Sequence, residues 1–147
     1  MSPQQLSKPD VTPSSALRSG RGLFVRKYTP AHSVWASFGY AWEGLKFVYE
    51  TERNFRIHLV MATLALGMGM VLKISMMEWV MIWGLIGFVL CAELMNTGVE
   101  HLVDLMTEGQ FHPRAKWIKD ILAGAVFVAA MTSAACGALI FLPYLFH

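Results

Sequence analysis

From Val34 to Tyr49 apolar residues return every three or four positions. Val34, Trp35, Phe38, Ala41, Trp42, Leu45, Val48 and Tyr49 fall on one stripe, with Glu43, Lys46 and Glu50 on other faces. That period predicts an amphipathic helix over about 33–54. Two tryptophans on the stripe suit a helix lying along a lipid–water boundary. Beyond it polar positions nearly vanish. Residues 57–77 are apolar apart from His58, Lys73 and a few small polar residues, residues 79–99 hold one charged group, Glu93, and residues 121–146 hold none. A helix needs about 20 residues to cross a hydrocarbon layer of about 30 Å. Three transmembrane spans are therefore expected, at about 57–77, 79–104 and 119–146. Gly67, Gly69, Gly84, Gly87, Gly124 and Gly137 lie within them, where small residues allow helices in lipid to approach closely. The fold class predicted is all-α, an integral membrane protein of three spans preceded by a surface helix.

Composition agrees. Of 147 residues, 55% are hydrophobic and 15% charged, against about 25% charged in soluble globular chains. A soluble enzyme and a disordered chain both fit poorly. The net charge of +2 lacks the basic excess of a nucleic-acid binder, so no nucleic-acid partner is expected. Cys91 and Cys136 sit in apolar runs without metal-ligand spacing and read as small lipid- or core-facing residues. Residues 1–30 differ: Ser, Pro and Gln dominate the start, and Arg18, Arg21, Arg26 and Lys27 follow. They contain no apolar core of the length a secretory signal needs. A disordered basic tail is expected there, either drawn to anionic headgroups or simply solvated.

Basic residues set the orientation. Eight precede the first span, three (Arg114, Lys116 and Lys119) lie between the second and third, and Lys73 alone marks the first turn. The N-terminus and the second loop are therefore expected in the cytoplasm, with the turn around Ser75 outside.

The candidate chemistry lies at the cytoplasmic end of span two. Asn96, Glu100 and Asp104 stand about 60°, 20° and 20° from Glu93 around an α-helix, a single polar stripe. Glu93 lies about 21 Å and Glu100 about 31 Å beyond Trp79. One carboxylate thus reaches lipid-hydroxyl depth, and two others lie where a water-soluble charged substrate can approach. Intramembrane carboxylates cost several kcal/mol unless paired, protonated or metal-bound, which makes the stripe a functional candidate. His101 points about 80° from Glu93 and has no metal-motif spacing, so it reads as an interfacial side chain. Two flanks face the same side: 51–56, containing Glu52, and 112–120, with Pro113 near a helix start. Glu52 and Glu100 suit Mg²⁺, which takes one or two carboxylates together with substrate phosphates. Lys116 and Lys119 can neutralise phosphate charge. No phosphate-binding P-loop and no protein-kinase HRD or DFG motif is present.

The run Glu93-Leu94-Met95-Asn96-Thr97-Gly98-Val99-Glu100, with Val103 and Asp104 beyond it, resembles the signature of the prokaryotic diacylglycerol kinase family. These are small trimeric membrane kinases of diacylglycerol or undecaprenol. The resemblance covers residues 37–141 and includes 39–45, 52–58 and 115–126. It implies a lipid-kinase domain over 31–147, ATP as co-substrate, Mg²⁺ as cofactor, a homotrimer and a place in the bacterial cytoplasmic membrane. By resemblance Glu93 is the base toward the lipid hydroxyl, and Glu52 and Glu100 hold the metal. Asn96, Asp104, Lys119, Asp120, Tyr40 and Lys116 serve the nucleotide and its phosphates, and Trp42 the lipid. Glu43 departs from the family, which commonly has a basic residue there. Asn54 to His58 and His112-Pro113 look more like the undecaprenol kinases, so undecaprenol is the expected acceptor and diacylglycerol the alternative. A different class also fits the stripe alone: a small oligomeric proton or ion pathway, or an assembly protein, with Glu93 in a polar seam. That seam would need neither Glu52 nor Lys119.

Overall fold

The computed structural model describes residues 34–146; the tail expected over 1–30 lies outside them. Four helices follow in order: α1 (Val34–Thr51), α2 (Arg53–Leu72), α3 (Met76–Thr107) and α4 (Pro113–Leu145). The last three are long and apolar enough to cross a membrane. The all-α expectation of three spans after a shorter first helix therefore holds, but the boundaries move.

The amphipathic helix was expected to run to about residue 54, and it stops at Thr51. Glu52 adopts an extended conformation (φ −96°, ψ 116°), so α1 and α2 are separated by one residue. Arg56 holds the break together by reaching back from α2. Its Nη1 donates to the carbonyls of Tyr49 at 2.9 Å and Glu50 at 3.0 Å, two acceptors that the end of a helix leaves unpaired.

Span one was expected to reach residue 77; α2 ends at Leu72, and Met76 and Met77 belong to α3. Lys73 is in the left-handed region (φ 53°), and its N–H donates to the Gly69 carbonyl. Ser75 then opens α3 with a reciprocal cap: its Oγ accepts from the Glu78 N–H, while the Glu78 carboxylate accepts from the Ser75 N–H at 2.7 Å. Tyr144, at the far end of α4, donates its hydroxyl to the same carboxylate at 2.7 Å. Gly69 is needed beneath this turn, since a Cβ there would stand 3.0 Å from both Ile74 and Trp79 side-chain atoms.

At the other end α3 stops where Glu108 (φ 51°) and Gly109 (φ 72°) turn left-handed. His112 then caps α4 by accepting from the Arg114 N–H at 3.2 Å, and Pro113 fills the first helical position. Helix α4 thus begins at Pro113, several residues before 119, where span three was expected to start.

α3 and α4 pack together most extensively, and α2 packs on both. The hydrophobic core (Ile74, Ile82, Ile140 and Phe141, with Trp79 and Leu85 against it) gathers at the Ser75 end. The other end of α3 buries Glu93, Asn96 and Thr97. The two ends of the bundle are therefore chemically unlike.

Candidate active site

The site begins with helical spacing. Because α3 runs unbroken from Met76 to Thr107, the stripe expected from sequence is held on one rigid face. Exposure rises along it: Glu93 is 2% exposed, Asn96 8%, Glu100 half-buried and Asp104 exposed. Burial within the bundle thus falls along the stripe from Glu93 to Asp104. Asn96 Nδ2 donates to Glu100 Oε1 at 3.0 Å, an i,i+4 contact that fixes the carboxylate against its own helix.

Glu52 joins this face from the break between α1 and α2. The carboxylates of Glu52 and Glu100 both lie close enough to Glu93 for their charges to act on it. Glu52 thus lies within electrostatic range of Glu93 on α3. The extended backbone at Glu52 follows from its place between two helices. α1 is anchored nearby, with Val48 buried and the Phe47 ring 5.2 Å from that of His101. The latter contact packs His101 against α1.

Lys119 comes across from α4 to meet the stripe, its Nζ 2.5 Å from Asp104 Oδ1. Lys116 and Asp120 pair with each other on an exposed side of α4, and Asp120 stands about 100° around the helix from Lys119. Tyr40 and Trp42, 48% and 70% exposed, lie on the outer length of α1. The structure thus gathers Glu93, Asn96, Glu100 and Glu52, and brings Asp104 to Lys119. It does not gather Tyr40, Trp42, Lys116 or Asp120 into that buried group.

Glu52 and Glu100 carry the oxygen donors that a divalent cation of the Mg²⁺ kind takes. Among the described residues no three of His, Cys, Asp and Glu are arranged to hold a metal by themselves. Mg²⁺ does not need that, since it completes its shell with phosphate oxygens and water. Glu52 and Glu100 are the residues that could hold it. Two buried polar atoms on the face, Asn96 Oδ1 and Thr97 Oγ1, have no hydrogen-bond partner. Sequence reasoning quoted Thr97 within the motif without giving it a role; its place four residues after Glu93 was the available signal. On the Ser75 side of this face an apolar cleft of about 550 Å³ opens between α2, α3 and α4. Val89 and Leu90, in the turn before Glu93, line it together with Met61 and Ala134.

Comparison with known proteins gives this geometry its setting. The sequence model described as prokaryotic diacylglycerol kinase matches residues 39–141. An undecaprenol kinase of Bacillus subtilis is 46% identical over 109 residues, covering 74% of this chain and 88% of the relative. A diacylglycerol kinase of Synechocystis is 32% identical over 133 residues, covering 90% of this chain and 76% of the relative. No solved structure matches the chain at a significant level. A family match across most of the chain, carrying the acidic face and all three spans, identifies it: this protein belongs to the prokaryotic diacylglycerol kinase family and is a membrane lipid kinase.

Proposed function

We propose that the protein transfers the γ-phosphoryl group of ATP to the hydroxyl of undecaprenol, giving undecaprenyl phosphate, from the cytoplasmic side of a bacterial inner membrane. The observation that carries this reading is the seating of Glu93, fully buried on a face whose other acidic groups grow more exposed along the helix. A lipid alcohol stays in the bilayer and a nucleotide in water, so their reaction needs a site spanning that boundary. Undecaprenol is preferred over diacylglycerol because the undecaprenol kinase relative shares 46% identity and the diacylglycerol kinase relative 32%. The apolar cleft beside Val89 and Leu90 supports a substrate with a long hydrocarbon tail.

In this scheme the lipid hydroxyl gives its proton to the Glu93 carboxylate as its oxygen bonds to the γ-phosphorus. The bond from that phosphorus to the β–γ bridging oxygen breaks, and ADP leaves. Glu52 and Glu100 would hold the cation, and Asn96 keeps the Glu100 carboxylate in position. When bound, Mg²⁺ neutralises charge on the transferring phosphate oxygens. Lys119 exchanges part of its pairing with Asp104 for phosphate contact, and Lys116 and Asp120 bind at the nucleotide's periphery. Tyr40 and Trp42 complete the nucleotide and lipid contacts from α1 in a homotrimer. Catalysis is then mainly alignment and charge neutralisation, as phosphoryl transfer requires.

The test is turnover by the purified protein in lipid micelles, given Mg·ATP with undecaprenol or diacylglycerol separately. Faster formation of undecaprenyl phosphate is expected. Faster phosphatidic acid formation would reverse the acceptor assignment, and no lipid phosphate from either would overturn the reading.

A further inference from the structure

Thr51, Thr63 and Thr107 each donate their hydroxyl to the carbonyl four residues earlier, at 3.0, 2.8 and 3.0 Å. This local bond is the usual fate of a threonine hydroxyl inside a helix. Thr97 does not make it. Its side chain is as buried as that of Glu93, at 2% exposure, and its Oγ1 has no partner. A buried hydroxyl left unpaired is costly and calls for a reason.

Position supplies one. Thr97 stands one turn after Glu93 on the same helix, about 40° around it, so the two side chains are neighbours on one face. Asn96 adds a second orphan beside it: Nδ2 is committed to Glu100, while Oδ1 is buried and unpaired. The unmade hydrogen bonds thus lie between the buried carboxylate and the end of the stripe that faces the nucleotide.

We infer that Thr97 Oγ1 is a second anchor for the acceptor's hydroxyl. This rests on the lipid-kinase reading above, with Glu93 as base. The incoming primary alcohol donates its proton to Glu93 and accepts a hydrogen bond from Thr97 on one lone pair. The remaining lone pair is then held toward Glu100 and the γ-phosphorus. Thr97 keeps its own proton throughout, and the alcohol's proton passes to Glu93. Undecaprenol and diacylglycerol both present such an alcohol, so the anchor serves whichever lipid is turned over.

The experiment measures kcat and the separate KM values for lipid alcohol and ATP, with each lipid, in the wild type, Thr97→Val and Thr97→Ser. Valine keeps the branched shape and removes the hydroxyl; serine restores it. Thr97→Ala provides the same loss without the branch if valine fails to assemble. Loss of the hydroxyl is expected to raise the lipid KM about tenfold, one hydrogen bond's worth, with the ATP KM unchanged. Serine is expected to recover most of the loss. An unchanged lipid KM in the hydroxyl-less variants, a parallel rise in both KM values, or a serine variant no better than alanine would overturn the inference. Absence of lipid phosphate from the wild type would instead overturn the kinase reading beneath it.

Discussion

An ionisable side chain taken out of water within a membrane span is costly, so a carboxyl as enclosed as that of Glu93 has to be compensated or used. The acidic neighbours Glu52 and Glu100 compensate nothing while all three are charged, and catalysis is the reading that gives the group a use. Glu93→Gln keeps the size and burial of the side chain and removes its basicity. Lipid phosphorylation is expected to fall by about 10²–10⁴-fold, the usual worth of a positioned base, while assembly and thermal unfolding stay as in the wild type. Full turnover in that variant would remove Glu93 from the role. Much of this could be read from sequence, because four polar residues at helical spacing share a face whatever packs around them. The Lys119–Asp104 pair could not: its partners are fifteen positions apart and meet only once α3 and α4 are laid together. Nor could the state of Thr97, since an unpaired hydroxyl is a property of the packed helix, not of the residue type.

The spans themselves were legible, their ends less so. Hydropathy runs on through Ile74, Met76 and Met77, so the pattern carries span one past the turn that Lys73 and Ser75 mark. The reversal is made by Lys73 in its left-handed conformation and by the Ser75–Glu78 cap, which a hydropathy pattern does not register. That cap also receives Tyr144 from α4, so one carboxylate ties the start of α3 to the end of α4. Ser75→Ala is expected to cost about 1 kcal/mol of stability, seen as a lowered unfolding temperature in detergent, with lipid KM and ATP KM unchanged. An unfolding temperature equal to the wild type would show the cap to be dispensable. At the opposite end of the bundle the early start of α4 follows from Pro113, whose ring fits a first helical turn; the sequence pattern placed it near a start but drew the span from the apolar residues alone.

The single chain leaves much hydrocarbon uncovered. Val71, Val80, Phe88, Val128 and Leu139 are more than half exposed on the spans, which suits side chains meeting lipid tails or the same surface of another copy. The proposed homotrimer is expected to give a native mass of three chains in mild detergent; a monomer that still phosphorylates lipid at the full rate would refute it. α3 matters beyond packing. At 1.5 Å per residue its 32 residues extend about 48 Å, well past the hydrocarbon thickness of about 30 Å, and it contains no proline. Glu93 and Glu100 stand seven residues apart on one unbroken helix, about 10 Å along its axis. The spacing between the point where an alcohol is received and the point where a nucleotide is gripped is therefore built in as a fixed gauge, and a thicker or thinner bilayer can only tilt or slide both together.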